Sequence, residues 1–312
     1  MPVPVLLVTG FLGAGKTTLI NRLLTDSQGR RLAAVVNDFG AVDIDAALLA
    51  GVGDGVVSLK NGCICCSLQG DLLQTLSTIL RRDPVPDGIV IETSGVSDPA
   101  EIVRLLLDPV LWREAPLDAV VCMVDARQMA DQPRLLEDTL VRSQLRAADF
   151  VVLNKADLVS PAELASVQAM LSGQKPRHLI TTAEGGKVAG ELLFSAGLHR
   201  PLAAPAPKRA LSTPDFDQVS WTSQSALSLR GFQLTVARFA AALVRAKGIV
   251  TFDGRPGERM VFQLVGQRAT LGPAPAGTAD GAAVRLVFIA RTGTLDGPAL
   301  RHALASCVGL AD

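Results

Sequence analysis

Gly10, Gly13, Gly15, Lys16 and Thr17 carry the first recognisable chemistry in this sequence. They lie in VLLVTGFLGAGKTTLINRLL, which reads as a strand, a G-x-x-x-x-G-K-T loop and a helix. The glycines let the backbone curl until successive N–H groups face phosphate oxygens, and the helix N-terminus adds partial positive charge. Ala14 and Thr18 complete this backbone cradle. Lys16 would reach the β- and γ-phosphates, and the Thr17 hydroxyl would sit on Mg²⁺. A chance match in a glycine-containing loop is the competing reading. The full motif in its strand–helix setting opposes it.

The base is addressed by VVLNKADL, in which Asn154, Lys155 and Asp157 form N-K-x-D at a strand end. Asp157 can accept two hydrogen bonds, from the ring N–H and the exocyclic amine of guanine. Adenine offers an acceptor at that ring nitrogen and no amine beside it, so it would leave a buried carboxylate poorly paired. Asn154 would hold the loop and the Lys155 stem would cover the base. The expected ligand is therefore GTP.

Two further segments belong to the same carboxyl edge. GIVIETSG places Glu92 at a strand end, where an acidic residue faces the cleft. Glu92 could hold Mg²⁺ through water, and the Gly95 amide could sense the γ-phosphate. An ordinary strand-end carboxylate is the alternative. In VVNDFGAVDID, Asn37 and Asp38 close a second strand, and Asp38 could orient water or touch Mg²⁺. Asp43 and Asp45 are expected to be solvated or to cap a following AALLA helix.

Cys63, Cys65 and Cys66 crowd into LKNGCICCSLQGDL, three of the chain's five cysteines. They follow an Asn61-Gly62 turn and precede a helix with an apolar stripe at Leu72, Leu73, Leu76, Ile79 and Leu80. Thiols beside a helix N-terminus ionise more readily. Thiolates suit Zn²⁺, Cu⁺ or Co²⁺, and three ligands leave a tetrahedral metal one open position for transfer. The ligand set need not use all three. Buried packing cysteines and a redox pair are the alternatives, although redox pairs are usually spaced C-x-x-C. Cys122 and Cys307 are expected in the core, and His199 and His302 at the surface or facing a partner.

These residues need a scaffold. Residues 1–195 alternate short apolar strands with helical segments. Strands are expected at 5–9, 32–37, 55–59, 88–92, 119–125, 150–154 and 178–182, and helices include 16–25, 71–82 and 161–171. Near-continuous Val/Ile/Leu runs are the mark of parallel strands buried on both faces. The expected class is α/β, a P-loop NTPase with a mainly parallel sheet flanked by helices. Residues 196–214, rich in Pro and Ala, read as a linker. Residues 215–312 read as a smaller α+β domain, with an alternating strand in DQVSWTSQSALS and an amphipathic helix over 231–248 that ends in Lys and Gly. Strands at 248–253, 259–266 and 284–290 and a helix at 296–307 complete it.

Composition narrows the partners. The 312 residues are 48% hydrophobic, and 30 basic residues balance 30 acidic ones, so no global basic field favours nucleic acid or anionic membrane. No apolar run reaches the roughly 18 residues needed to span a bilayer. The apolar start MPVPVLLVTG lacks a positive leading region and reads as a core strand, not a signal peptide. Clustered cysteines suit a reducing compartment, so a cytoplasmic location is expected.

GFLGAGKTT, NDFG, the Cys-x-Cys-Cys loop, ETSG and NKAD, in this order, resemble the CobW-type GTPases. That family lies within the metal-related GTPases that include UreG, HypB and MeaB. LRGFQLTVARFAAALVRAKGIVTF looks like the start of the family's C-terminal domain. The resemblance implies GTP hydrolysis tied to a transition metal, Zn²⁺ or Co²⁺, with delivery to a client metalloprotein or a cobalamin-pathway protein. The Cys loop, between the nucleotide-responsive segment and the Glu92 strand, would set metal affinity by nucleotide state. No arginine finger or catalytic Gln stands in the motifs, so a partner or a second subunit in a homodimer would supply the missing group. Loading of a cobalamin enzyme without free metal, and a nucleotide-dependent metal or redox sensor, are the other readings. The family usually reads N-E-F-G-E where this chain has Asn37, Asp38, Phe39, Gly40 and Ala41. Many members also carry a histidine-rich stretch, whereas this chain has three scattered histidines, His178, His199 and His302.

Overall fold

Val5–Gly10 (β1), Gly88–Glu92 (β4) and Phe150–Asn154 (β6) are buried at every position. A strand with no wet face must lie inside a sheet covered on both sides. The computed structural model describes residues 2–27, 30–36, 56–58, 67–174, 179–188, 193, 216–255, 257–265, 268–274 and 282–309. By internal contact the chain divides into two units, Pro2–Gly197 and Leu198–Asp312.

In the first unit, Leu32–Val36 (β2), Val56–Ser58 (β3), Leu117–Asp125 (β5) and Leu179–Thr182 (β7) join those three in a seven-stranded sheet of order β3-β2-β4-β1-β5-β6-β7. Every pairing is parallel. Strand polarity puts all carboxyl ends on one edge. The order reverses around β1, which lies between β4 and β5, and ligands bind at such a reversal in open α/β sheets.

Lys16–Thr25 (α1) contacts β1, β2 and β4 and buries Leu19, Ile20 and Leu23. Alternate strand residues Val5, Leu7, Ala33, Val35, Ile89 and Ile91 pack with Leu72, Leu76 and Ile79 of Ser67–Leu80 (α2) and with Ile102 and Leu106 of Ala100–Leu106 (α3). Leu73, expected on the buried stripe, is 42% exposed, because position 73 turns away from the 72–76–79 face. Pro109–Glu114 (α4) follows α3. Ala126–Asp131 (α5), Thr139–Ala147 (α6) and Pro161–Gln174 (α7) cover β5 and β6 through Met129, Val141, Leu145, Val167 and Leu171.

The second unit is a five-stranded antiparallel sheet, Phe216–Ser223 (β8), Leu243–Thr251 (β9), Arg259–Val265 (β10), Arg268–Pro273 (β11) and Val284–Arg291 (β12), in the order β11-β10-β9-β12-β8. Leu229–Phe239 (α8) and Gly297–Ala305 (α9) pack on it, with Phe232, Leu300 and Leu304 against Phe252, Phe262, Leu286 and Phe288. Phe232 meets Phe262 edge to face at 4.9 Å.

The helix expected over 231–248 ends at Phe239. Its second half is β9, a strand with neighbours on both sides, β10 and β12. Pairing on both edges outweighs the helix propensity of Ala, Arg and Lys there. Gly248, expected as a helix stop, permits close strand approach, because a Cβ on it would overlap the Arg285 carbonyl of β12. Strand β11 was not expected. Its residues alternate between half-buried and exposed, with few large apolar side chains to mark the period.

Candidate functional site

The loop between β1 and α1 is held by backbone geometry. Gly10 (φ 135°) and Gly15 (φ 95°) lie in the region that favours glycine, and a Cβ on either would overlap a neighbour: the Met123 carbonyl at Gly10, the Asn154 amide at Gly15. Leu19 N bonds back to Gly15 O at 3.0 Å. The amides of Lys16, Thr17 and Thr18 therefore stand ahead of the helical ladder, at the positive end of α1. Ala14 is buried beneath the loop, and its N–H closes a turn onto Phe11 O at 3.3 Å.

Lys16 is 7% exposed and its Nζ donates to Phe11 O at 3.2 Å, so the ammonium lies folded against the loop. Thr17 Oγ1 donates to Glu92 at the end of β4, 3.1 Å from Oε1 and 3.3 Å from Oε2. Glu92 is 3% exposed. Strand register explains this meeting, since Val8 of β1 pairs with Glu92 of β4. Just beyond, Thr93 N donates to Val8 O at 2.9 Å, and the Thr93 hydroxyl donates to Thr9 Oγ1 at 3.0 Å. Gly95 lies against Leu12 of the loop, where a Cβ would come within 2.9 Å of Leu12 N.

Asn154, at the end of β6, joins three segments. Its Nδ2 donates to Ala14 O at 3.0 Å, and its Oδ1 accepts from Gly186 N at 2.8 Å. Lys155 adopts φ 58°, which turns the chain into the short 3₁₀ segment Ala156–Leu158 and leaves Asp157 exposed. Lys155 Nζ donates to Asp125 Oδ2 at 2.6 Å, while Asp125 Oδ1 caps α5 by accepting from Gln128 N at 3.1 Å.

Asp125 and the Ala183–Gly186 turn escaped the sequence reading. Both lie at carboxyl ends of parallel strands, β5 and β7, and that position was the available signal. Asn37, Asp38, Asp43, Asp45, Cys63, Cys65, Cys66 and the linker lie outside the described residues. Among the described residues no group of three or more His, Cys, Asp or Glu could hold a metal ion. Cys122 and Cys307 are buried. Burial pushes the Cys122 thiol up to about 12 despite the opposing charge of Lys16, so it stays protonated at neutral pH. Cys307 Sγ donates to Ala303 O at 3.1 Å and lies 3.3 Å from Thr235 Oγ1.

Residues 4–181 match the CobW/HypB/UreG nucleotide-binding domain, and residues 216–308 match the cobalamin synthesis protein CobW C-terminal domain. The chain belongs to the CobW family. Among its curated CobW relatives, a Sinorhizobium protein named zinc chaperone CobW is 34% identical over 223 residues, 63% of this chain and 63% of that one. The Escherichia coli zinc chaperone YjiA is 31% identical over 280 residues, 85% of this chain and 86% of that one. The zinc-regulated GTPase metalloprotein activator 1 of Schizosaccharomyces pombe is 36% identical over 174 residues, 54% of this chain and 42% of that one. The match thus spans under two thirds of the Sinorhizobium relative's length, and most of the YjiA chain. No helix among the described residues is long and apolar enough to cross a membrane.

Proposed function

We propose that this CobW-family chain is a GTP-hydrolysing metallochaperone that couples nucleotide state to the binding and delivery of Zn²⁺. The contact of Thr17 with Glu92 carries the nucleotide half of this reading. A hydroxyl and a buried carboxylate lie within 3.3 Å beside the phosphate loop. Such hard oxygen donors fit Mg²⁺, which when bound would offset charge on the phosphates. Gly10, Gly13, Ala14, Gly15, Thr17 and Thr18 would supply backbone N–H groups to the phosphates. Lys16 would leave Phe11 O to pair with the β- and γ-phosphates, and the Gly95 amide would meet the γ-phosphate. Asn154 and Lys155 would frame the base, Asp157 would select guanine, and Asp38 would orient the attacking water.

Zn²⁺ is cargo in this account. Cys63, Cys65 and Cys66 are its proposed ligands, supported by the affinity of thiolates for zinc and by relatives named as zinc chaperones. The proposed organisation is a GTPase domain over 1–195, a linker over 196–214 and a client-facing domain over 215–312, acting in the cytoplasm on a client metalloprotein. A cobalamin-pathway role with Co²⁺ is the second reading, favoured by the description of the C-terminal family match.

Steady-state hydrolysis of GTP and ATP with Mg²⁺ tests the nucleotide half. Slow GTP turnover, weaker ATP turnover and loss of both in Lys16→Ala are expected. GTP binding without turnover would replace the enzyme with a nucleotide-dependent sensor.

A further inference from the structure

Gln144 is an amide on an otherwise apolar face. It lies on α6 between Val141 and Leu145, which belong to the core cluster over β5 and β6, and is itself 1% exposed. A carboxamide enters such a face at a cost unless its hydrogens are used. Both are directed at one segment: Nε2 lies 3.2 Å from Gly95 O and 3.4 Å from Ser97 O. The preceding residue grips the far end of the same segment, with Ser143 Oγ donating to Asp98 Oδ1 at 2.6 Å. Asp98 Oδ1 also accepts from Ala100 N at 2.9 Å, at the start of α3.

The opposite side of the segment is fixed by the phosphate loop. Thr93 is tied to Val8 and Thr9 of β1, and Gly95 rests on Leu12. Within it, Ser97 N bonds Ser94 O at 3.1 Å, a tight turn that carries the Gly95 and Ser97 carbonyls. Gly95 thus lies between two anchors: the phosphate loop on one side and the Gln144 amide on the other. Moving α6, or removing its fork of donors, would let the turn tilt and shift the Gly95 N–H relative to the phosphate loop.

We propose that Gln144 is a positioning residue for triphosphate recognition, holding the turn Ser94–Ser97 where the Gly95 amide meets a γ-phosphate. This rests on the GTP reading above and adds a residue outside every motif that supports it. A diphosphate makes no contact with that amide, so Gln144 contributes to binding of the triphosphate and not of the diphosphate. A merely structural Gln144 would affect both nucleotides alike.

The test uses the full chain with Mg²⁺, a fluorescent GDP and a fluorescent non-hydrolysable GTP analogue. Wild type, Gln144→Met, Gln144→Glu and Ser143→Ala are titrated with each, and their melting temperatures are recorded. Gln144→Met keeps the bulk and loses both donors. It should weaken the GTP analogue about tenfold while GDP changes by less than about twofold. Gln144→Glu should do the same, because a carboxylate cannot donate to two carbonyls. Ser143→Ala, at an exposed bond, should give a smaller loss in the same direction. Equal losses for both nucleotides, or a lower melting temperature with unchanged affinities, overturns the proposal. If the Gln144 variants do not fold, an unselective Ser143→Ala overturns it. Wild type that binds neither nucleotide would instead sink the GTP reading, and this inference with it.

Discussion

Asp157 and Lys155 occupy adjoining roles but are held differently. Lys155 is pinned to Asp125 at 2.6 Å, whereas Asp157 stands exposed on its short 3₁₀ segment. Guanine selection is the role proposed for this exposed carboxylate. Asp157→Ala should therefore reduce the preference for GTP over ATP by roughly 100-fold, with a much smaller effect on the fold; competition binding with both nucleotides checks this. Asp125→Asn keeps a cap for α5 but weakens the pairing with Lys155, and should weaken GTP and GDP alike. Cys122, held as a thiol by burial, should resist alkylation in the native protein at neutral pH and react after unfolding, as peptide mass spectrometry would read. The placement of Lys16 and Thr17 at the start of α1 was legible because G-x-x-x-x-G-K-T is a local spacing, and that of Glu92 because it closes a continuous apolar run. Gln144 and Asp125 were not, because their meaning comes from partners 49 and 30 residues away.

Strands read well wherever apolar runs were continuous and both faces were covered, as in Gly88–Glu92 and Phe150–Asn154. Leu243–Thr251 did not, for a reason that local sequence cannot carry. The Ala run before it and its own Arg, Ala and Lys have helix propensity, but β10 and β12 offer hydrogen bonds on both edges, and that non-local pairing decides. Ser160 and Glu163 reciprocate at the start of α7, Glu163 N donating to Ser160 Oγ at 3.3 Å and Ser160 N to Glu163 Oε2 at 2.8 Å. The Ser160 N–H, then its hydroxyl, then Arg127 hold the Glu163 carboxyl at about 2, below its ordinary 4.5. Its contribution to stability is complete above that ordinary value and fades as pH falls towards about 2. Glu163→Gln should lower the melting temperature slightly at pH 7, and the gap to wild type should close between pH 4.5 and 2. At α8, Ser228 Oγ accepts from Gly231 N at 3.2 Å, and Ser228→Ala should cost about 1 kcal/mol in denaturant unfolding.

The molecule joins a parallel α/β unit bearing the phosphate loop to an antiparallel unit. The three-cysteine loop stands in sequence between Asp38 and Glu92, two residues proposed to serve the nucleotide. That placement is why metal affinity should follow nucleotide state: a γ-phosphate that engages Asp38 and Glu92 would also act on the loop between them. The central claim is this linkage, and linkage must be reciprocal. It is tested most directly by titrating the reduced protein with Zn²⁺ in the presence of Mg²⁺ and a non-hydrolysable GTP analogue, with GDP, and without nucleotide. Co²⁺ serves as a spectroscopic reporter of thiolate ligation. The account predicts tighter Zn²⁺ binding with the GTP analogue than with GDP, and loss of the thiolate absorption in the Cys63, Cys65 and Cys66 triple serine variant. Equal Zn²⁺ affinity in all three nucleotide states, or no thiolate absorption in the wild type, would contradict it.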